Sequence, residues 1–386
     1  MNSMKRLYIL FTVIGLMIHM ASLACTSVII SGKASSDGRP VMWKHRDTGF
    51  LDNRLEFFNG EKYSFVGLVN SSEGELGKEV WIGSNTAGFS IMNTASYCLN
   101  YDDVPSSEMD REGVVMHRAL EICATLSDFE HFLDTLSRPM GVEANFGCID
   151  AFGGAAYYET SNYTYVKRDV NEMEEGYCVV TNFSVTGRKD DWKGVERFHT
   201  ASDIFKRQPL TGGRFENIDA CTIMDSLSRS YEHQGDKLYI QRYITSCSVV
   251  INGVGKGEDP CHTVLWTALG YPSTAVMVPV PLSTEDHIPG VMKRSLENEN
   301  SLLCDISLRL KKNVFPGGRK GPEDISRAAE YVHAFKNIEK DIADDFNAIH
   351  RKYTAGRIKE KKYLQLYDKM IDKHLKTVVL VSEKLF

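Results

Sequence analysis

The chain has 386 residues, a formal net charge of −6, and a composition that is 42% hydrophobic and 10% aromatic. An acidic chain of this kind lacks the basic footprint of a nucleic-acid-binding protein, and its apolar content excludes general disorder. The length allows one large core, or one core with an appendage.

The first predicted element is an export signal over residues 1–24. Lys5 and Arg6 precede an apolar run, and small residues occupy the two positions that a signal peptidase recognises. The run is shorter than the roughly 20 residues that a bilayer span needs, and no comparable run follows. We therefore expect export to the periplasm or the extracellular space, and a mature chain that begins at Cys25.

Short strand-like segments follow, separated by Gly, Asp and Asn turns. They are TSVIIS, PVMWKH, RLEFF, YSFVGLV, EVWIG and GFSIMN. Apolar residues at helical spacing then predict helices over 109–137, with a break and a new cap at Ser127 and Asp128. Strand-like segments return as ANFGCIDA, GAAYYET, NYTYVKR and YCVVTN.

Two helical stretches, around 194–207 and 218–230, lead to the closing strands SCSVVIN, CHTVLWTAL and TAVMVPV. The charged tail then carries apolar residues at helical spacing, which predicts a helical hairpin joined near TAGR. Blocks of strands and blocks of helices favour segregated layers, and hence an α+β fold. We expect a main domain over 25–290 and a helical C-terminal extension over 291–386.

The nine cysteines are odd in number and widely spaced, which indicates buried thiols rather than a disulfide framework. No CxxC or HExxH motif occurs in the sequence, and no paired His–Cys spacing offers a metal site. We therefore expect neither a metal site nor a cofactor.

Cys25 has a particular chemical property if it becomes the first residue of the mature chain. A thiol is a weak nucleophile until a base removes its proton, and a terminal amine with a pKa of about 7.7–8.0 can serve as that base. Before cleavage the same nitrogen is an amide, so processing and activation would be one event. A hairpin between the first two strands would place Asp47 beside this amine.

The segments CTSVIISGK, DGRPVMWKHRD, GFSIMN and VVTNF together resemble the N-terminal-nucleophile cysteine hydrolases. That family includes penicillin V acylases, bile salt hydrolases, acyl-CoA:6-aminopenicillanic acid acyltransferases and related dipeptidases. The resemblance covers most of residues 25–285 and does not include the helical tail. It implies the four-layer αββα sandwich of the family.

The resemblance also implies roles for individual residues. Cys25 matches the nucleophile, and Asp47 matches the acid that orients its amine. Asn182 matches the side-chain donor to the oxyanion, and Asn93 matches a second donor. Arg197 resembles a late arginine in an Arg–Phe pair, although it follows Asn182 sooner than in the family.

The resemblance implies a small-molecule N-acyl amide as substrate, cleaved at a linear, non-peptide C–N bond through a thioester. Where the hydrolases have an arginine three residues before the aspartate, this chain has Lys44, and Arg46 would supply the charge. The aromatic residues Trp43, Phe89 and Tyr97 would suit an apolar acyl group.

Several alternatives stay open. Acyl transfer or dipeptide hydrolysis would use the same fold, and a lipid-anchored envelope binding protein would carry its lipid on Cys25. Ser22 stands where a lipobox usually has Leu, which favours ordinary signal peptidase. Asp47 would otherwise be a turn residue, and Arg197 a helix-surface arginine. The sequence indicates no nucleic-acid partner and no transmembrane segment, and it leaves a homo-oligomer open.

Overall fold

The structure, a computed structural model, describes residues 25–72, 79–229, 240–295 and 299–386. The predicted export signal, residues 1–24, lies outside the described residues. None of the helices in the described ranges combines the length and the apolar character that crossing a membrane requires.

The strands in the described residues are β1 (Thr26–Ile30), β2 (Val41–Asp47), β3 (Asn53–Asn59), β4 (Ser64–Asn70), β5 (Ile82–Asn85), β6 (Ser90–Ala95), β7 (Ala144–Ile149), β8 (Ala155–Thr160), β9 (Tyr165–Asp169), β10 (Tyr177–Val180), β11 (Leu210–Thr211), β12 (Arg214–Phe215), β13 (Thr245–Asn252), β14 (Val264–Leu269) and β15 (Met277–Pro281). The α-helices are α1 (Glu112–Ile122), α2 (Leu126–Thr135), α3 (Val195–Lys206), α4 (Ala220–Ile223), α5 (Leu302–Val314), α6 (Ile325–Thr354) and α7 (Glu360–Leu385). A π-helical turn, Met224–Ser228, continues α4.

Two antiparallel sheets contain all the strands except the short β11–β12 hairpin. The first sheet has six strands in the order β10–β1–β2–β13–β14–β15, and the second has seven, β3 to β9, in chain order. Every residue of β1, β2, β14 and β15 is buried. A strand with no exposed residue is covered on both faces, so the first sheet is an inner layer.

The two sheets face each other. The Ser27 hydroxyl of β1 lies 2.9 Å from the Tyr157 hydroxyl of β8. The Lys44 ammonium of β2 donates to the Asn93 side-chain oxygen of β6 at 2.7 Å. These bonds between sheets identify the face of the first sheet that is turned toward the second.

Helices α1 and α2 cover the outer face of the second sheet and share a hydrophobic cluster with it, which includes Phe89, Phe129 and Phe146. Helix α2 begins at a capping box formed by Thr125 and Asp128. The predicted break in this region is confirmed, but the cap is Thr125 rather than Ser127, because the Thr125 hydroxyl accepts the Asp128 backbone N–H.

The remaining helices cover the outer face of the first sheet. Their apolar residues join those of the sheet in one cluster. Trp266 of β14 and Phe346 of α6 have ring centroids 5.3 Å apart, and the Tyr367 hydroxyl of α7 donates to the Pro279 carbonyl at 2.9 Å. The C-terminal helices therefore belong to the core of the molecule.

The layers run helices, sheet, sheet, helices, which confirms the predicted four-layer α+β sandwich. The predicted C-terminal hairpin is also confirmed, since α6 and α7 are joined at residues 355–359. The domain boundary between 25–290 and 291–386 stays a prediction. All nine cysteines are free thiols, and seven of them are buried, as expected for a chain without a disulfide framework.

Candidate active site

Cys25 immediately precedes β1, the strand that lies between β2 and β10. Thr26 pairs with His45 of β2, and Ser27 pairs with Val180 of β10. Continuing the two registers to the preceding residue sets Cys25 opposite Arg46 on one side and Asn182 on the other. Only 6% of Cys25 is exposed.

The Cys25 thiol belongs to the face between the sheets. Side chains alternate along a strand, so Cys25 shares a face with Ser27, which contacts Tyr157 of the second sheet. The thiol also donates to the Asp47 backbone carbonyl, at a sulfur–oxygen distance of 4.0 Å. The Cys25 thiol is therefore turned toward the second sheet.

Arg197 joins Cys25 to Asn182. Its guanidinium donates to the Cys25 carbonyl at 2.5 Å, to the Thr26 hydroxyl at 2.7 Å and to the Asn182 side-chain oxygen at 2.6 Å. Only 3% of Arg197 is exposed, which excludes the alternative of a helix-surface arginine. Burial lowers the pKa of Arg197, while the charges of Asp47 and Cys25 oppose that change.

Asn182 is buried, and its orientation is determined by two bonds. Its oxygen accepts from Arg197, and its amide nitrogen donates to the Ala95 carbonyl at 2.9 Å. An amide nitrogen has two hydrogens, so one is available for another acceptor. Asn182 thus presents a buried amide donor at the strand position opposite Cys25.

The Asp47 carboxylate is buried on the face of β2 opposite the one that carries Lys44 and is turned toward the second sheet. The Thr245 hydroxyl donates to one carboxylate oxygen at 2.6 Å. The Arg242 Nε donates to the other at 3.0 Å, and a second guanidinium nitrogen, Nη2, contacts the same oxygen. Burial lowers the pKa of neighbouring His45 to about 4, so the cation paired with Asp47 is Arg242. These contacts exclude the interpretation of Asp47 as a solvated turn residue.

Arg242 and Thr245 were missed by the sequence analysis. No motif marks them, and they reach Asp47 only because β13 pairs with β2, in a register that sets Thr245 opposite Asp47. The one available signal is that Arg242, a charged residue, stands just before the buried strand β13. That signal has meaning only once the neighbour of the strand is known.

Lys44 is a buried cation on the thiol face. Its ammonium donates to the Trp81 carbonyl at 2.5 Å and to the Asn93 oxygen at 2.7 Å. Burial lowers the pKa of Lys44 to about 8, and the charge of Cys25 acts in the opposite direction. Asn93 is therefore connected to this face through Lys44, and the Asn93 side-chain oxygen accepts the Lys44 hydrogen bond.

Arg46 lies on the same face as Lys44, and it pairs across the sheet with Cys247 of β13. Its guanidinium carbon stands 4.8 Å from the centroid of the Trp81 ring. The two predicted cations thus both lie in the sheet that carries Cys25, on the side that faces the second sheet.

Two of the three aromatic residues predicted to line an acyl site lie elsewhere. Trp43 is on the opposite face of β2, where its indole N–H bonds to the hydroxyls of Ser228 and Ser248. Phe89 is in the cluster beneath α2, with its ring 6.0 Å from that of Phe129. The expectation for Trp43 and Phe89 is therefore wrong. Tyr97, half-buried just after β6, stays a prediction.

The site brings together the Cys25 thiol, a buried amide, a guanidinium that bonds both the Cys25 carbonyl and that amide, and a buried carboxylate on the neighbouring strand. A thiol, an amide donor and a buried carboxylate are among the parts that nucleophilic acyl transfer uses. Within the described residues, the chain has no group of three or more His, Cys, Asp or Glu side chains arranged to hold a metal ion.

No family model and no curated protein sequence matches the chain. Among solved structures, it is similar to a Caenorhabditis elegans N-acylethanolamine-hydrolyzing acid amidase ortholog, with a TM-score of 0.43 and 18% identity over 59% of this chain and 92% of that one. A mutant conjugated bile acid hydrolase from Clostridium perfringens has a TM-score of 0.44 and 10% identity, over 68% and 93% of the two chains. Penicillin V acylase from Agrobacterium tumefaciens has a TM-score of 0.41 and 14% identity, over 67% and 86%. Two of these three enzyme types were named in the sequence resemblance. Because the scores are below 0.5, the activity proposed for this chain rests on its own side chains.

Proposed function

We propose that the chain is an exported amidohydrolase in which Cys25 is an N-terminal nucleophile, after removal of residues 1–24. The Cys25 sulfur attacks the carbonyl carbon of an N-acyl amide, and its proton passes to the terminal amine. Asn182 donates to the oxyanion. The amine then protonates the leaving nitrogen as the C–N bond breaks, and water hydrolyses the thioester to release the acid.

The observation that carries this proposal is the Arg197 bridge. One buried guanidinium contacts both the Cys25 carbonyl and the Asn182 oxygen, at 2.5 and 2.6 Å. The bridge fixes the distance between Cys25, the first residue of the proposed mature chain, and Asn182, the proposed oxyanion donor. Such preorganisation is usually the largest single contribution to catalysis of this kind.

Asp47 is proposed to orient the amine of Cys25. The carboxyl group is buried, and Arg242 and Thr245 donate to its two oxygens. The thiol contact with the Asp47 carbonyl supports this role, because it places Cys25 against the same residue. A carboxylate held in this way stabilises the ammonium form that appears after proton transfer.

The substrate is proposed to be a small N-acyl amide that reaches the thiol between the sheets. Lys44 and Arg46 give this face positive charge, and Trp81 is an aromatic residue beside both of them. Tyr97 is proposed to contact the acyl group. Asn93 is proposed to contribute through Lys44. We further propose that residues 25–290 form the catalytic unit and that 291–386 are an extension of it.

Trapping of the acyl-enzyme tests the proposal. The mature protein is incubated with N-acyl amino acids, N-acyl amines and dipeptides, quenched in acid and mapped by mass spectrometry. We expect the mass of the acyl group on the Cys25 peptide, removable by hydroxylamine, and none on the half-buried Cys221. Adding a free amine acceptor separates hydrolysis from acyl transfer. Turnover of a substrate without any adduct on Cys25, under conditions that trap a control thioester enzyme, would contradict the mechanism.

A further inference from the structure

Lys311, in the last turn of α5, is a buried cation in the C-terminal region that the sequence resemblance does not cover. Its ammonium donates to the Tyr243 carbonyl and, at 3.4 Å, to the Thr245 carbonyl. The rings of Tyr243 and Tyr271 flank it, with centroids 4.8 and 5.4 Å away. Among the described residues it forms no ion pair, and both of its hydrogen-bond partners are backbone oxygens.

The segment that Lys311 contacts is the one that holds Asp47. Arg242 and Thr245 bond the two carboxylate oxygens, and the Ile244 carbonyl accepts the Thr48 backbone N–H at 2.9 Å. The turn is closed by the Thr245 N–H, which donates to the Arg242 carbonyl at 2.8 Å. Two side chains of the 242–245 turn thus bond the Asp47 carboxylate, while two backbone carbonyls of the same turn accept hydrogen bonds from Lys311.

We propose that Lys311 is a positioning residue for the reaction, which maintains the 242–245 turn against Asp47 from the C-terminal helices. This inference rests on the proposed function, because it assigns Lys311 to the support of the carboxylate that orients the Cys25 amine. Lys311 does not touch the thiol or the substrate. It acts through the turn and through its charge, for which Asp47 provides the largest favourable interaction.

The burial of the charge supports a functional role over simple packing. An ammonium taken out of water loses solvation that two carbonyls restore only in part, so an apolar residue would pack here at lower cost. Burial accordingly lowers the pKa of Lys311 to about 8, against the charges of Asp47, Cys304 and Glu323. A buried charge in contact with the turn that holds the Asp47 carboxylate is typical of functional sites.

Two substitutions of Lys311 test the inference, with the neighbouring Lys312 as matched control. Lys311→Met keeps the length and removes the donors and the charge, whereas Lys311→Arg keeps both. Lys312 is exposed on the same helix turn, so Lys312→Met controls for the loss of a lysine from α5. The substrate is the amide that the wild type cleaves fastest in the panel. Rates are expressed per Cys25 that becomes acylated in the burst, so that unfolded molecules do not count.

For Lys311→Met we expect kcat to fall about 10- to 100-fold, the effect of a displacement of about 1 Å at a catalytic group. KM should stay within about twofold, because the lysine does not contact the substrate. Lys311→Arg should recover most of kcat, and Lys312→Met should match the wild type.

Wild-type kcat per site in Lys311→Met would overturn the inference, and so would a loss in Lys311→Arg as large as in Lys311→Met. Neither result touches the proposed function, which fails separately if Cys25→Ala keeps its activity. The two failures are therefore distinguishable in one set of variants.

Discussion

Replacing Cys25 with alanine is expected to lower kcat/KM for amide hydrolysis by at least about 10⁴-fold, as removal of a catalytic nucleophile does in serine proteases. The substitution removes the sulfur that forms the thioester but leaves Arg197 and Asn182 in place. The remaining oxyanion donor would give at most a small residual rate. Steady-state kinetics on the best panel substrate measures the loss.

Cys25→Ser refines this test, because an N-terminal serine keeps the amine and a weaker nucleophile. We expect its rate to lie between those of the wild type and Cys25→Ala. Cys221→Ala is the control, since Cys221 is a half-buried thiol on α4, and burial raises its pKa to about 12. Cys25→Ala with activity within tenfold of the wild type would refute the assignment of the nucleophile.

Replacing Asp47 with asparagine is expected to lower kcat by about 10²- to 10⁴-fold, the range for groups that assist proton transfer. The shape of the side chain is kept, but the charge that faces Arg242 is lost. Arg242 then loses its contact with the Asp47 charge, and the Cys25 amine loses the acid proposed to orient it. The measurement is kcat per acylated Cys25, together with the thermal unfolding midpoint.

Asp37→Asn is the matched control, because Asp37 is an exposed carboxylate in the turn that joins β1 to β2. It should keep wild-type kinetics. If Asp47→Asn folds and keeps kcat within about threefold, Asp47 has no part in the reaction. A variant that loses stability without losing kcat per site would assign Asp47 a structural role only.

The order of strands and helices could be predicted from the sequence because periodicity and turn residues are local signals. The face of the sheet to which each strand side chain points could not be predicted in this way. All seven residues of β2 are buried, so no alternation of apolar and polar residues shows which side chains meet the thiol. Trp43 and Lys44 are neighbours on that strand and point to opposite faces. The sequence therefore predicts that Trp43 contacts the substrate, although Trp43 lies in the core between the first sheet and the helices.

The support of Asp47 was hidden for a different reason. Arg242 and Thr245 lie almost two hundred positions after Asp47, and only the pairing of β13 with β2 brings them together. In the sequence, Lys311 looks like an ordinary basic residue in the last turn of a helix, where a lysine interacts favourably with the helix dipole. Its burial against the 242–245 turn depends on the packing of α5, which a local pattern does not encode.

The mass of the chain in a fully active preparation is the decisive measurement for Cys25 as an N-terminal nucleophile. We predict a chain that begins at Cys25 with an unmodified amine, so that sulfur and base belong to the same residue. Full activity with residues 1–24 still attached would contradict it. So would full activity in a chain whose Cys25 nitrogen is acylated, because that nitrogen cannot accept the thiol proton.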